Sequence, residues 1–170
     1  MAQEVTDGGT PGVVLFNGAL ETGVRAVVVL DAVFPRSFNL ARLTWCDHLV
    51  VHTADIGGPP SLHPDIPQRT GELLVRRRLI EEGINLMRRL HMVDAKVCPE
   101  GILFQAGEEA AAFVDSLRTG YARELKVRAA WLADYLAEMS DEAMAALIAD
   151  RIGRWAVEFQ GEVGPAGSSP

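Results

Sequence analysis

The most useful features of this 170-residue chain are the ones it lacks. No run of about 18 apolar residues occurs, which excludes a transmembrane helix of ordinary length. The opening, MAQEVTDGGTPG, has neither a basic nor an apolar block and does not read as a signal peptide. There are only two cysteines, Cys46 and Cys98, without CxxC or ligand spacing, so both are expected to be reduced thiols in a cytoplasmic protein. GxxxxGK, GxGxxG, GxSxG and HExxH are all missing, which removes the phosphate loops, the nucleophile elbow and the zinc-protease helix. No internal repeat is visible. Ser61, His63 and Asp65 supply the letters of a hydrolytic triad, but alternate positions in one loop do not supply its geometry. No catalytic residue, cofactor site or metal site is assigned, and the chain is not expected to be an enzyme.

What remains is a globular composition: 48% hydrophobic and 23% charged residues. The net charge of −7 opposes a general polyanion binder. Positive charge is nevertheless concentrated. Arg69, Arg76, Arg77, Arg78, Arg88 and Arg89 face only Glu72, Glu81 and Glu82, a local balance of +3. Three consecutive arginines cannot share one helix face, because each residue turns by about 100°. At least one must point toward the protein, to an acidic partner or a satisfied packing role.

Hydrophobic spacing predicts the order of elements. Residues 1–12 form a polar tail, and Val13 to Phe16 a short strand or helix lead-in. Ala19 to Phe34 is apolar nearly all round, the pattern of a buried helix ended by Pro35. Asn39 caps a second helix carrying Leu40, Leu43, Cys46, Leu49 and Val50. A long loop over 53–70 follows, with prolines at 59, 60, 64 and 67. A third helix runs from near Gly71 to Leu90 with Leu73, Ile80, Ile84, Met87 and Leu90 on one side. Val93, Ala95, Val97, Ile102, Phe104 and Ala106 alternate around Pro99-Glu100-Gly101, a β-hairpin. Helices are expected over Glu108–Leu117, over Tyr121–Met139, and from a Ser140 cap to Phe159. The last should pack on its predecessor through Leu125, Leu132 and Leu136. Its stripe of Met144, Leu147, Ile148, Ile152, Trp155 and Phe159 also allows a partner groove anchored by Trp155.

The fold class expected is therefore α-rich α+β: a winged-helix-like domain over 13–118, a C-terminal helical hairpin over 119–160 and a disordered tail over 161–170. Three helices and a hairpin occur both in DNA readers and in protein adaptors. The 53–70 loop is far longer than the 3–4-residue turn of a DNA-reading helix pair. His48 and His52, four apart on a helix, allow a shared metal, but partly exposed helical histidines give the same spacing.

Three strings, LFNGALETGVRAVVVLDAVFP, DIGGPPSLHPDIPQRTGELLVRRRLIEEGINLMRRL and GILFQAGEEAAAFVDSL, resemble the middle-component family of ABC three-component systems. These are bacterial conflict and antiphage operons with Lamassu among their relatives. The resemblance covers about Leu15 to Leu117 and leaves the later helices outside it. It is carried most specifically by Ser61, Leu62, His63, Pro64, Pro67, Arg69, Gly71, Glu72, Leu73, Arg76 and Arg77. It implies a non-enzymatic winged-helix adaptor between an SMC-like ABC ATPase and an effector protein, with DNA contact conceivable inside the complex. A winged-helix nucleic-acid-binding regulator is the alternative. The loop restricts its own unfolded state through its prolines and carries apolar anchors, which suits an ordered docking surface. Leu62, His63, Ile66, Arg69, Arg76, Arg77, Arg78 and Trp155 are the candidate partner-binding residues.

Overall fold

The computed structural model describes residues 18–64 and 69–150, with residues 69–74 as backbone only. The strand or helix lead-in expected at Val13–Phe16, the two terminal tails and the last helix beyond residue 150 lie outside the described residues. Within them the chain is an α-rich α+β fold with C-terminal helices. The elements are α1 (Ala19–Ala32), α2 (Leu40–Val51), α3 (Arg69–Arg89), β1 (Val93–Cys98), β2 (Gly101–Ala106), α4 (Ala110–Ser116) and α5 (Gly120–Ala137). A further helix, α6, occupies 141–150. A 3-10 turn, Thr53–Ile56, follows α2.

The apolar run of α1 is a helix because it is surrounded. Helices α2, α3, α4 and α5 all pack on it, and Val27, Val28, Val29 and Leu30 are all buried. Burying each such side chain contributes about 1.5–3 kcal/mol. Such encirclement overrides the modest helix propensity of a valine run. The helix stops at Ala32, two residues earlier than expected, and only Leu20 at its start is exposed among its large apolar residues. Asn39 caps α2, its side chain accepting from the Arg42 N–H at 2.9 Å. Thr119 caps α5 and Ser140 caps α6 in the same way. Leu125, Leu132 and Leu136 of α5 and Met144 and Ile148 of α6 belong to the same buried cluster as α1 and α2.

β1 and β2 form an antiparallel hairpin with Val93 opposite Ala106, Ala95 opposite Phe104 and Val97 opposite Ile102. Gly101 belongs to β2, so the turn is shorter than the three residues expected. Phe38, between α1 and α2, bridges to Phe104 through paired backbone bonds of 2.8 Å and ties the hairpin to the helices. The alternation is as expected, but burial fades toward the tip, where Val97 and Ile102 are exposed. On α3, Ile80, Ile84 and Met87 face the core, whereas Leu90 lies past the helix end and is exposed.

α1 and α3 meet backbone to backbone. A Cβ placed on Gly83 would lie 2.5 Å from the Ala19 carbonyl oxygen and 2.7 Å from the Gly23 nitrogen. Backbone atoms cannot rotate away, so Gly83→Ala must push α3 off α1, at a cost of about 1–3 kcal/mol. That outweighs the gain of about 1 kcal/mol from replacing a helical glycine. Urea denaturation should show a lower midpoint for Gly83→Ala, whereas Gly120→Ala, with nothing within 4 Å, should leave it unchanged or raised. Equal effects of the two substitutions would refute the close crossing.

Candidate functional site

The charged groups that organise the region around the loop lie inside the protein. Asp47 of α2 is 1% exposed. Arg25 of α1 reaches it through Nε at 2.7 Å and a second nitrogen at 3.3 Å. Arg76 of α3 donates at 2.5 Å to Oδ2, the oxygen that also accepts the longer bond from Arg25. Arg25 also donates to the Thr22 hydroxyl at 3.2 Å. Burial alone would raise the Asp47 pKa, but the two guanidiniums overcome it and hold the carboxyl below its ordinary value. One carboxylate therefore joins three helices. Of the three consecutive arginines, Arg76 is the one turned inward. Arg77 and Arg78 are exposed, and Arg78 pairs with Glu82 one turn on at 3.0 Å.

The first half of the loop is fastened to the body of the protein. Leu62 and His63 donate their backbone N–H groups to the Val51 carbonyl. Thr53 Oγ1 donates to the Pro59 carbonyl at 2.7 Å, and the Ser61 hydroxyl accepts from the Ala54 N–H at 3.3 Å. Arg128 of α5 donates twice to the Pro60 carbonyl, at 2.8 and 2.6 Å, while Glu124 neutralises it at 2.6 Å. Gly58 lies so close to the Trp131 ring that a Cβ there would fall 2.7 Å from it. Ile56 and Leu62 pack against the core.

Between loop and body runs a file of rings. Trp45 stacks on His48, His48 lies 4.6 Å from His52, His52 meets His63 edge-on, and His63 stacks on Tyr121. His63 Nε2 and the Tyr121 hydroxyl are 3.0 Å apart. Tyr121 in turn hydrogen-bonds Arg25, which links the file to the buried ion cluster. Burial, with the positive charge of Arg25 and the neighbouring His52 and Arg76, pushes the His63 pKa down to about 4. The loop thus docks with a neutral imidazole.

The two helical histidines are not the partly exposed pair that their spacing suggested. His48 and His52 are both buried, and His48 Nε2 faces Asp55 at 3.6 Å. Among the described residues no group of three or more His, Cys, Asp and Glu is placed to hold a metal. The Cys46 thiol is fully buried and its pKa is pushed up to about 12 by burial and then by Asp47. Ser61, one letter of the would-be triad, is used as a loop fastener.

The candidate partner residues are therefore divided. Leu62 and His63 face the body and hold the loop. Arg76 is 7% exposed and committed to Asp47, so it does not stand on the surface beside Arg77 and Arg78. Ile66 and Trp155 lie outside the described residues, and Arg69 is described as backbone only. Sequence reasoning missed Arg25, Asp47, Tyr121 and Arg128 as members of the site. A signal for the first existed: a lone arginine inside an apolar-all-round helix must have a buried counter-charge.

Asp47→Ala leaves two arginines buried without their carboxylate and should cost about 3–5 kcal/mol in equilibrium unfolding at pH 7. Two pH windows should separate. The depressed Asp47 pKa gives stability that is present above about pH 4, the unfolded value, and lost as pH falls through the folded value. The depressed His63 pKa gives stability present above about pH 6.5 and lost as pH falls toward 4. His63→Gln should flatten the upper window and leave the lower one. A variant whose urea midpoints track wild type from pH 6.5 to 4 would refute the neutral docking of the loop.

No curated protein and no solved structure matches the chain. A family model does, and its span corrects the extent of the resemblance: it runs over residues 15–158 and takes in α5 and α6, which had been left outside. With that match covering most of its length, the chain belongs to the ABC-three component (ABC-3C) system Middle Component 2 family.

Proposed function

We propose that the chain is a non-catalytic adaptor that joins an SMC-type ABC ATPase to an effector in a Lamassu-like antiviral defence system. The observation that carries this reading is membership of a middle-component family over 15–158. The chemistry around the loop agrees with it. The residues most able to act as nucleophile, base or metal ligand there hold helices and loop together. Helix, bridge, helix, helix and hairpin follow one another in winged-helix order, which supports that architecture for 13–118 with the C-terminal helices added to it.

The docking surface in this reading is the outer side of the fastened loop with the start of α3. Ile66, Arg69, Arg77, Arg78 and Trp155 are the contact residues, while Leu62 and His63 set the loop's position. Arg76 contributes from inside, by fixing how α3 presents its neighbours. An ATPase offering carboxylates would pair with Arg77 and Arg78, and removing one partner of a pair buried on docking costs about 2–5 kcal/mol, roughly 30- to several-thousand-fold in affinity.

Co-expression with the system's ATPase should give a complex that purifies intact. Arg77→Glu with Arg78→Glu should abolish it while the variant alone melts like wild type, since both side chains are exposed. A normal melt with wild-type yield of complex refutes the docking role. Exposed Arg77, Arg78, Arg88 and Arg89 on one helix beside a hairpin favour the nucleic-acid reading as the second candidate. On the adaptor reading the chain alone binds duplex DNA weakly, without sequence preference and with a steep loss in salt. Nanomolar, sequence-selective binding at physiological salt would replace the adaptor with a regulator.

A further inference from the structure

The apolar face of the hairpin is longer than the core it covers. Cross-strand partners share a face, so Val93 and Ala106, Ala95 and Phe104, and Val97 and Ile102 form one apolar ladder. Its base is buried, with Val93 at 2% and Phe104 at 9%, but Ile102 is 50% exposed and Val97 81%. A single exposed valine is unremarkable in any protein. Here the exposed rung is continuous with a groove of about 370 Å³ between the hairpin, α3 and the start of α2. Leu40, Ile84, Ile102 and Phe104 contribute its apolar lining. Arg77 and Arg88 line the same groove, and neither is held in an ion pair among the described residues. A second concavity continues past Arg88 and Arg89 to the outer strand at Val93–Ala95.

We propose that this groove docks an acidic amphipathic segment of a partner protein, with the segment's apolar side on exposed Ile102 and half-buried Leu40, over a floor of buried Ile84 and Phe104, and its carboxylates on Arg77 and Arg88. The proposal rests on the adaptor reading and extends its docking face from Arg77, which both share, along α3 to Arg88 and the hairpin. The spacing gives it a shape. Arg77 and Arg88 are eleven residues apart on one side of α3, about 16 Å along the axis at 1.5 Å per residue. A partner helix lying beside α3 would carry its acidic residues at a similar separation, with apolar residues between them. Charge selects this occupant: arginines at both ends of the groove on a −7 protein attract carboxylates without attracting polyanions in general. A nucleic-acid backbone fits less well. Its evenly spaced phosphates could not avoid Glu81 inside the groove and Asp94 beside it, whereas a peptide can set an uncharged residue opposite Glu81 between its carboxylates, and the apolar lining would gain the phosphates nothing.

The test uses the full chain co-expressed with the other components of its system, carrying the photo-crosslinker p-benzoylphenylalanine at position 102. A control carries it at position 96, on the opposite face of the hairpin. The expected result is a crosslink from 102 and none from 96, mapped to a partner peptide with acidic residues flanking apolar ones. Arg88→Glu should cut the crosslink yield, and Ile102→Glu the affinity, about tenfold or more. Both positions are exposed, and a melt like wild type confirms that the fold is kept. A crosslink to a basic peptide, to a second copy of this chain or to duplex DNA overturns the proposal, as does equal crosslinking from both positions. An intact complex with no crosslink from 102 and no effect of Arg88→Glu sinks the groove but leaves the adaptor standing. A wild-type chain that enters no complex removes the adaptor reading, and the groove falls with it.

Discussion

A carboxylate stripped of water has to find its counter-charge within the protein, and Asp47 finds two. Arg25 arrives from α1 and Arg76 from α3, so one side chain of α2 fixes the rotation of all three helices about their axes. Such a cluster is weak as a source of stability, because desolvating three charges consumes much of the attraction gained. It constrains geometry more, because helix rotations that separate Asp47 from either arginine leave a charge buried and unpaired. The glycine crossing of α1 and α3 sets their distance, and the ion cluster sets their register.

That division decides what the surface displays. With Arg76 committed inward, Arg77 falls about 100° to one side, along the groove beside the hairpin, and Arg78 another 100° on, toward solvent. The loop is positioned by the same apparatus, since Tyr121 contacts both Arg25 and His63. One structural charge is thus followed directly by two displayed ones.

Much of the fold was legible because it rests on local periodicity. α1 reads as a helix from its length, the hairpin from period 2 around Pro99-Glu100, and the caps from Asn39 and Ser140. The inward turn of one arginine followed from helix geometry alone. What was not legible depends on groups far apart in sequence. That Arg76 rather than its neighbours would turn inward required knowing where Asp47 stood. Arg128 looks like any arginine on an amphipathic helix until the Pro60 carbonyl arrives beneath it. His48 and His52 gave metal-like spacing, but burial is not written in spacing. The fading burial along the hairpin was equally hidden, because alternation marks which face is apolar and not how far the core extends beneath it.

The loop's fastening also imposes an order on the chain as it leaves the ribosome. Asp47 meets its two arginines after separations of 22 and 29 residues, so the core of α1, α2 and α3 can assemble early. The Pro60 carbonyl waits for Arg128, 68 residues later, and Arg36 waits for the end of α5, 100 residues later. At about 5–20 residues per second, the proline loop spends several seconds of synthesis without its clamp. A nascent chain that stalls before α5 carries every residue of the ion cluster and the local fastenings of the loop, but not the Arg128 clamp on Pro60.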